Sequence, residues 1–300
     1  IGRASLNSRN DTLRKCMLLC HTSKKEFYKK FLNEAFPLES HLNHFLVDHL
    51  NAEIVSQTIE NFQDCMDWLT WTYMYRRLNQ NPNYYDVPGK TNIHINDYLS
   101  DLIERNLNDL VAANCISIQG ETISPLNFGR VAVFYYIKYN TIDLFSRGLN
   151  AQTKKIRDLI EILCSAYEFE DIPIRHGDEA TLRDLAKSVK VDIKNDICNE
   201  PHTKASILLQ CYFSREPIPH DMTKDTKQIV EYAQRLSLAM VDVLSSNGLL
   251  KQAIIAMELS QMIVQAMWVT QSPLFQLPNF NYELVKQCTD ENIQDIPDLM

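Results

Sequence analysis

The sequence predicts a mainly α-helical protein, and three observations carry that reading. Glycine is scarce, 7 in 300 residues, where folds built from many tight turns need more. Apolar residues recur at helical spacing over most of the length. The clearest strand alternation is confined to residues 115–124. A chain this long fits one large or two to three small domains, and its 45% hydrophobic and 23% charged content is that of a globular protein.

The net charge of −8 argues against a surface coated in basic patches for nonspecific nucleic-acid binding, although it leaves room for one local basic path. The 8 cysteines contain no CxxC pair and suggest neither a disulfide framework nor a zinc site. Several fall in apolar runs, where a free thiol acts as a small core hydrophobe, so a reducing intracellular compartment is expected. No secretory leader is apparent, and the most apolar long segment, 249–268, is interrupted by Lys251, Gln252, Glu258, Gln261 and Gln265. The first residue is Ile rather than Met, which reads as a piece of a longer polypeptide.

Four blocks follow along the chain. In residues 1–35, Cys16 to Cys20 suits a short buried strand, and Ser23 with Glu26 three residues later resembles a capping box before a helix with a Phe27, Phe31 and Leu32 stripe. Residues 36–126 read as three helices and a hairpin. The first, 41–55, places Leu42, Phe45, Leu46 and Leu50 on one side. The second starts after Asn61, with Asp64 at its third position, and runs to Asn81-Pro82. It carries Met66, Leu69, Tyr73 and Met74, with Trp68 and Trp71 widening the apolar surface. The third begins near Asn96 and aligns Leu99, Leu102, Ile103, Leu107, Leu110 and Val111. Cys115 to Gln119 then alternates like a strand, Gly120-Glu121 turns the chain, and Thr122 to Ser124 returns. That order is the order of a winged helix.

The block 127–275 reads as helix after helix, with 131–137 equally suited to a strand. Helices are expected over 154–167, 178–187 and 201–215, the last opened by Pro201. The most regular, 228–246, aligns Ile229, Ala233, Leu236, Met240 and Val243 before an Asn247-Gly248 stop. Residues 249–268 are apolar on nearly every side and are expected at the centre of the bundle. Residues 290–300 look like the beginning of another helical unit.

Candidate chemistry is sparse. His41, His44 and Asp48 share a helical face, with His49 a quarter-turn away. They form the one metal-like grouping, and a polar helix face with satisfied histidines explains them better, so no metal is expected. No Walker A loop, glycine-rich phosphate loop or GxSxG elbow occurs, and no complete catalytic site is expected in these residues. The turn Ile172-Pro-Ile-Arg-His-Gly177 reads as structural rather than catalytic. On the 228–246 helix, Arg235 joins Lys224, Lys227 and Glu231 on the polar side, where spaced cations touch phosphates or simply face solvent. The third helix of the winged-helix block carries Asp97, Asp101, Glu104 and Asp109, which disfavours insertion into a nucleic-acid groove.

Seven stretches together resemble one family: Pro37-Leu-Glu-Ser-His41, Asp48-His-Leu-Asn-Ala-Glu53, Thr70-Trp-Thr-Tyr-Met-Tyr-Arg-Arg77, Asn81-Pro-Asn-Tyr-Tyr85, Ile172-Pro-Ile-Arg-His176, Pro201-His-Thr-Lys204 and Gln276-Leu-Pro278. In this order they are similar to the region after the second RecA-like domain of DExH-box helicases that carry a Sec sixty-three homology unit. Asp242 to Gly248, Ala256 to Met262 and Gln265 to Trp268 resemble the C-terminal cassette of the spliceosomal branch, with the activating-signal cointegrator branch as rival.

The resemblance implies a parent ATP-dependent RNA helicase of the nucleus that uses ATP and magnesium and unwinds the U4/U6 duplex in splicing. It assigns 1–35 to the end of a RecA-like domain, 36–126 to the winged helix, 127–275 to a bundle with a ratchet helix at 228–246, and 276–300 to the start of a helical-hairpin domain. Gly2 and Arg3 match the first half of helicase motif VI, while Ser5 and Leu6 replace its second Gly and Arg. An arginine there would stabilise charge on the transferring phosphate, which Leu6 cannot do. Arg235, with Lys224 and Lys227 nearby, would contact single-stranded RNA, and the apolar Leu238 one turn on weakens such a grip. The implied partners are the RecA-like domains of the same polypeptide and spliceosomal proteins, with no cofactor and no membrane for this segment. Its expected role is a non-catalytic scaffold, and the alternative is an active RNA ratchet.

Overall fold

A computed structural model of the chain describes residues 16–33, 38–89, 91–153, 155–191 and 200–299. It divides into two compact units, Ile1–His41 and Leu42–Met300. In the first unit, helix α1 (Lys25–Asn33) follows a 3-10 turn over Thr22–Lys24, capped by the His21 ring accepting from the Ser23 N–H at 3.4 Å. The expected Ser23 cap is therefore displaced to His21. The expected strand at 16–20 does not form, and Met17 and Leu19 are 88% and 96% exposed. A strand needs a neighbour to take its backbone hydrogen bonds, and no described residue of this unit supplies one.

The second unit opens with α2 (Leu46–Val55), which buries Leu46, Leu50 and Ile54 and leaves Phe45 outside. Next comes a capping box. Asn61 Oδ1 accepts from the Asp64 N–H at 2.9 Å and Asp64 returns to the Asn61 N–H, starting α3 (Phe62–Thr70). The single helix expected here breaks, because Thr72 caps a new start and α4 runs Tyr73–Gln80. The break turns Trp71 and Tyr73 into solvent and keeps Leu69 and Met74 buried.

Helix α5 (Asn92–Ala112) begins at a Thr91 cap, earlier than the expected Asn96. Strands β1 (Ile116–Gln119) and β2 (Thr122–Pro125) pair antiparallel around Gly120, whose φ of 62° is left-handed backbone that glycine adopts freely. The winged-helix order is thus present, with β2 also taking a backbone bond from Ile123 to Glu60.

Of the ambiguous stretch 131–137, residues 131–135 resolve as helix and Tyr136 ends it in left-handed backbone. Helix α6 (Asn127–Tyr135) packs between α2 on one side and α11 (His220–Ser246) on the other. Its Gly129 lies so close to the Cys115 carbonyl that a Cβ has no room, and Asn51 Nδ2 donates to the Gly129 carbonyl at 3.1 Å. The buried core consequently runs without interruption from Leu46 to Trp268. Then follow α7 (Tyr139–Gly148), α8 (Ile156–Cys164), α9 (Asp178–Ala186), α10 (Pro201–Ser214), α12 (Leu250–Gln265) and α13 (Tyr282–Asp290). A smaller cluster, Met267, Leu274, Phe275 and Val285, holds α13. No described helix is long and apolar enough to cross a membrane.

The expectation for 249–268 is corrected. Helix α12 lies at the edge of the bundle, with Leu250, Ile254, Met257 and Val264 between 49% and 72% exposed. The central helix is α10, which buries Lys204 and Gln210 along with its apolar residues. Polar atoms are tolerated there because they are paired; Gln210 bonds both the N–H and the carbonyl of Val191. The buried thiols behave as core hydrophobes: burial pushes Cys65, Cys115 and Cys164 up to about 12 and Cys211 to about 11.

Trp268 closes the bundle, 5% exposed, edge-on to Phe213, with its indole N–H donating to Ser214 Oγ at 2.9 Å. Trp268→Ala should destabilise the chain by about 3–5 kcal/mol in a denaturant melt. A change within about 0.5 kcal/mol would place that ring outside the core's energetics.

Candidate functional site along the longest helix

Helix α11 is 27 residues long, and the candidate RNA contacts Lys224, Lys227 and Arg235 all lie on it. Its buried face carries Ile229, Ala233, Leu236, Met240 and Val243, all 0% exposed, in the register the spacing predicts. Its outer face exposes Lys224, Lys227, Glu231, Gln234 and Leu238 at steps of three and four residues.

Arg235 does not share that outer stripe. It is half-buried and donates through one Nη to the Tyr136 carbonyl at 3.3 Å and the Tyr135 carbonyl at 3.5 Å. Those carbonyls end α6, where a helix leaves acceptors unpaired and its dipole favours a cation. The guanidinium also lies 5.4 Å from the Tyr232 ring centre. Two helical turns further on, Asp242 accepts from the Tyr135 hydroxyl at 2.8 Å. Burial first, and the Asp242 carboxylate second, push the Tyr135 phenol up to about 12. At the far end, Asn127 bonds Ser246. Helix α11 is therefore stitched along α6 by three separated polar contacts.

The N-terminal third of α11 is held by an ionic cluster that sequence reasoning missed. Lys204 of α10 is 0% exposed, and its three N–H groups find three acceptors: Asp178 Oδ2 at 2.6 Å, Asp225 Oδ2 at 2.8 Å and the Pro173 carbonyl at 2.8 Å. Asp225 belongs to α11 and receives a two-pronged bond from Arg175, at 2.6 and 2.9 Å. Asp178 opens α9 and also accepts from the Arg175 backbone N–H. Two cations and two carboxylates thus close on one another. The turn 172–177 meets α9 and α11 through Arg175 and α10 through the Pro173 carbonyl.

Burial pushes the Asp225 carboxyl up, but the bonds from Arg175 and Lys204 outweigh it and hold the group below the ordinary aspartate range. Asp178 is likewise held low, its burial outweighed by Lys204 and the Arg175 N–H. The signal in the sequence was Lys204 itself, which shares a helical face with the apolar Ile207, Leu208 and Cys211.

Among the described residues no group of three or more His, Cys, Asp or Glu is placed to hold a metal ion. Asp48 Oδ1 accepts from the Tyr139 N–H at 2.8 Å and so caps α7. The buried Glu168 completes that cap by accepting from the Lys138 N–H and the Thr141 hydroxyl. Gly2, Arg3, Ser5 and Leu6 lie outside the described residues.

Lys204→Met should cost about 3–5 kcal/mol at neutral pH, because it strands buried carboxylates. Both aspartates have lowered native values, so their contribution is complete above the ordinary Asp value of about 3.9 and drains as the pH falls through the native ones. The stability gap between wild type and Lys204→Met should therefore shrink below about pH 4 in denaturant melts. A gap of constant size down to about pH 2 would contradict the pairing.

Comparison with known proteins gives two matching sequence families. The Sec63 Brl domain matches residues 125–297, and a winged helix-turn-helix domain matches residues 39–120. The chain is 50% identical over 301 residues to the U5 small nuclear ribonucleoprotein 200 kDa helicase of Homo sapiens, covering 100% of this chain and 14% of that protein. It is 49% identical over 304 residues to the DExH-box ATP-dependent RNA helicase DExH12 of Arabidopsis thaliana, again 100% of this chain and 14% of the relative. It is also 49% identical over 288 residues to the activating signal cointegrator 1 complex subunit 3-like protein of Dictyostelium discoideum, covering 95% and 13%. The chain thus spans about 14% of the length of the curated relatives it matches.

Proposed function

Because the chain belongs to the Sec63 Brl domain family, we propose that it is the architectural segment of a spliceosomal ATP-dependent RNA helicase, acting as a rigid brace and protein-binding platform. The observation that carries this reading is the Arg235 guanidinium turned onto the α6 carbonyls. A side chain spent on closing a helix end is not free to grip a phosphate. The exposed apolar side of α12, with Leu250, Ile254, Met257 and Val264 in line, adds a surface of the kind that partners cover.

In this proposal ATP and magnesium belong to RecA-like domains of the parent polypeptide, and catalysis belongs there too. The partners are those domains and spliceosomal proteins, in the nucleus. The motif VI assignment of Gly2, Arg3, Ser5 and Leu6 remains part of the proposal, as do the boundaries at 36, 127 and 276. A parent resembling the activating signal cointegrator helicase is the alternative within the family.

The second reading is an RNA ratchet, favoured by the outward stripe of Lys224 and Lys227 on α11. Fluorescence anisotropy with a single-stranded oligouridine, read across a salt series, separates the two. The brace predicts weak binding that is unchanged when Lys224 and Lys227 are both replaced by Gln. The ratchet predicts a steep salt slope that falls by about one for each lysine removed. Arg235→Ala, under the brace reading, lowers stability and leaves RNA binding as it was.

A further inference from the structure

Helix α12 leaves one face uncovered among the described residues. Leu250, Ile254, Met257, Gln261 and Val264 stand on it, all exposed. Their spacing is four, three, four and three residues, the alternation of a coiled-coil seam with one polar member, Gln261. The opposite face is spent in the core. Helix α12 carries only two charged residues, Lys251 and Glu258. Each directly follows a seam residue, so both lie on the same flank of the stripe, two helical turns apart. Neither side chain makes an ion pair among the described residues.

We propose that this face binds the same face of a second copy of the chain, with the two α12 helices antiparallel about a two-fold axis. The axis passes between Ile254 and Met257. Ile254 of each copy then lies against Met257 of the other, and Leu250 of each against Gln261 of the other. Lys251 of each falls beside Glu258 of the other, which closes two symmetry-related ion pairs.

Charge complementarity selects this occupant. A contact between identical faces must be complementary to itself, and one cation and one anion set on one flank, either side of the axis, meet that condition. A parallel pair does not use them, because it sets the flank of Lys251 and Glu258 against that of Ala253 and Ser260, which carry no charge. An unrelated helix would have to bring the reverse pattern, whereas a second copy already carries it. The face has no net charge and no aromatic ring, so it offers single-stranded RNA neither phosphate contacts nor stacking. The seam is only about 20 Å long, so the dimer should be a weak one, half-formed at about 10–100 µM.

Sedimentation velocity on the whole 300-residue chain, over a series reaching about 500 µM, should show a reversible monomer–dimer equilibrium. Lys251→Glu and Glu258→Lys each set like charges together and should weaken the dimer by about tenfold. An equimolar mixture of the two variants restores unlike charges at both contacts and should associate as the wild type does. Ile254→Glu should leave a monomer. These side chains lie on the outer face, so every variant should melt with the wild type, which confirms that the fold is intact.

A wild-type chain that stays monomeric over the whole series would overturn the proposal. So would a dimer indifferent to the two charge reversals or to Ile254→Glu, or a mixture of the reversed variants that stays monomeric. The proposal does not rest on the brace reading, which the oligouridine salt series tests separately.

Discussion

A lysine ammonium sealed from water fixes the course of the longest helix. Lys204 is fully buried, and an ammonium carries three N–H groups that cannot be left unpaired in a core without a large cost. Its acceptors come from three separate pieces of chain: the turn at Pro173, the start of α9 at Asp178 and the first third of α11 at Asp225. Satisfying one cation therefore sets the relative positions of all of them. Arg175 locks the arrangement from the outer side through its paired bonds to Asp225. Such a cluster adds less net stability than its distances suggest, because desolvation opposes the Coulomb gain. Its effect is geometric: it permits one register of α10 against α11.

From that anchor α11 extends past α6, where Arg235, Asp242 and Ser246 meet Tyr136, Tyr135 and Asn127 in succession. Helix α6 in turn sits against α2, where Asn51 and Gly129 make contact too close for any side chain at position 129. Hairpin, winged-helix core and bundle in this way share one buried core among the described residues of the second unit. Under the proposed reading, helices fastened in this way would serve as a brace, with Arg235 as one of the fastenings.

Much of this was legible in the residues. The apolar register of α11, the Asn61 and Asp64 capping box, the Gly120 turn and the Pro201 start all follow local rules that tertiary context did not override. The failures share a cause. Apolarity along 249–268 suggested a central helix, yet centrality went to α10, whose Lys204 and Gln210 look like surface residues until their partners are seen. Likewise Arg235 reads as a solvated cation, because its partners are carbonyls about a hundred residues away and carbonyls leave no trace in a sequence. The cluster was half visible: Arg175 and Lys204 stood in two of the family-like stretches, while Asp178 and Asp225 stood in neither.

The central claim is that the Lys204 cluster holds the beginning of α11 in place. Amide hydrogen exchange on wild type and Lys204→Met, resolved by segment, tests it most directly. The account predicts lost protection in α9 and in the first turns of α11, from His220 to about Tyr232, with α5 and the hairpin unchanged. Equal protection in both proteins, or a uniform loss over the whole chain, would contradict it.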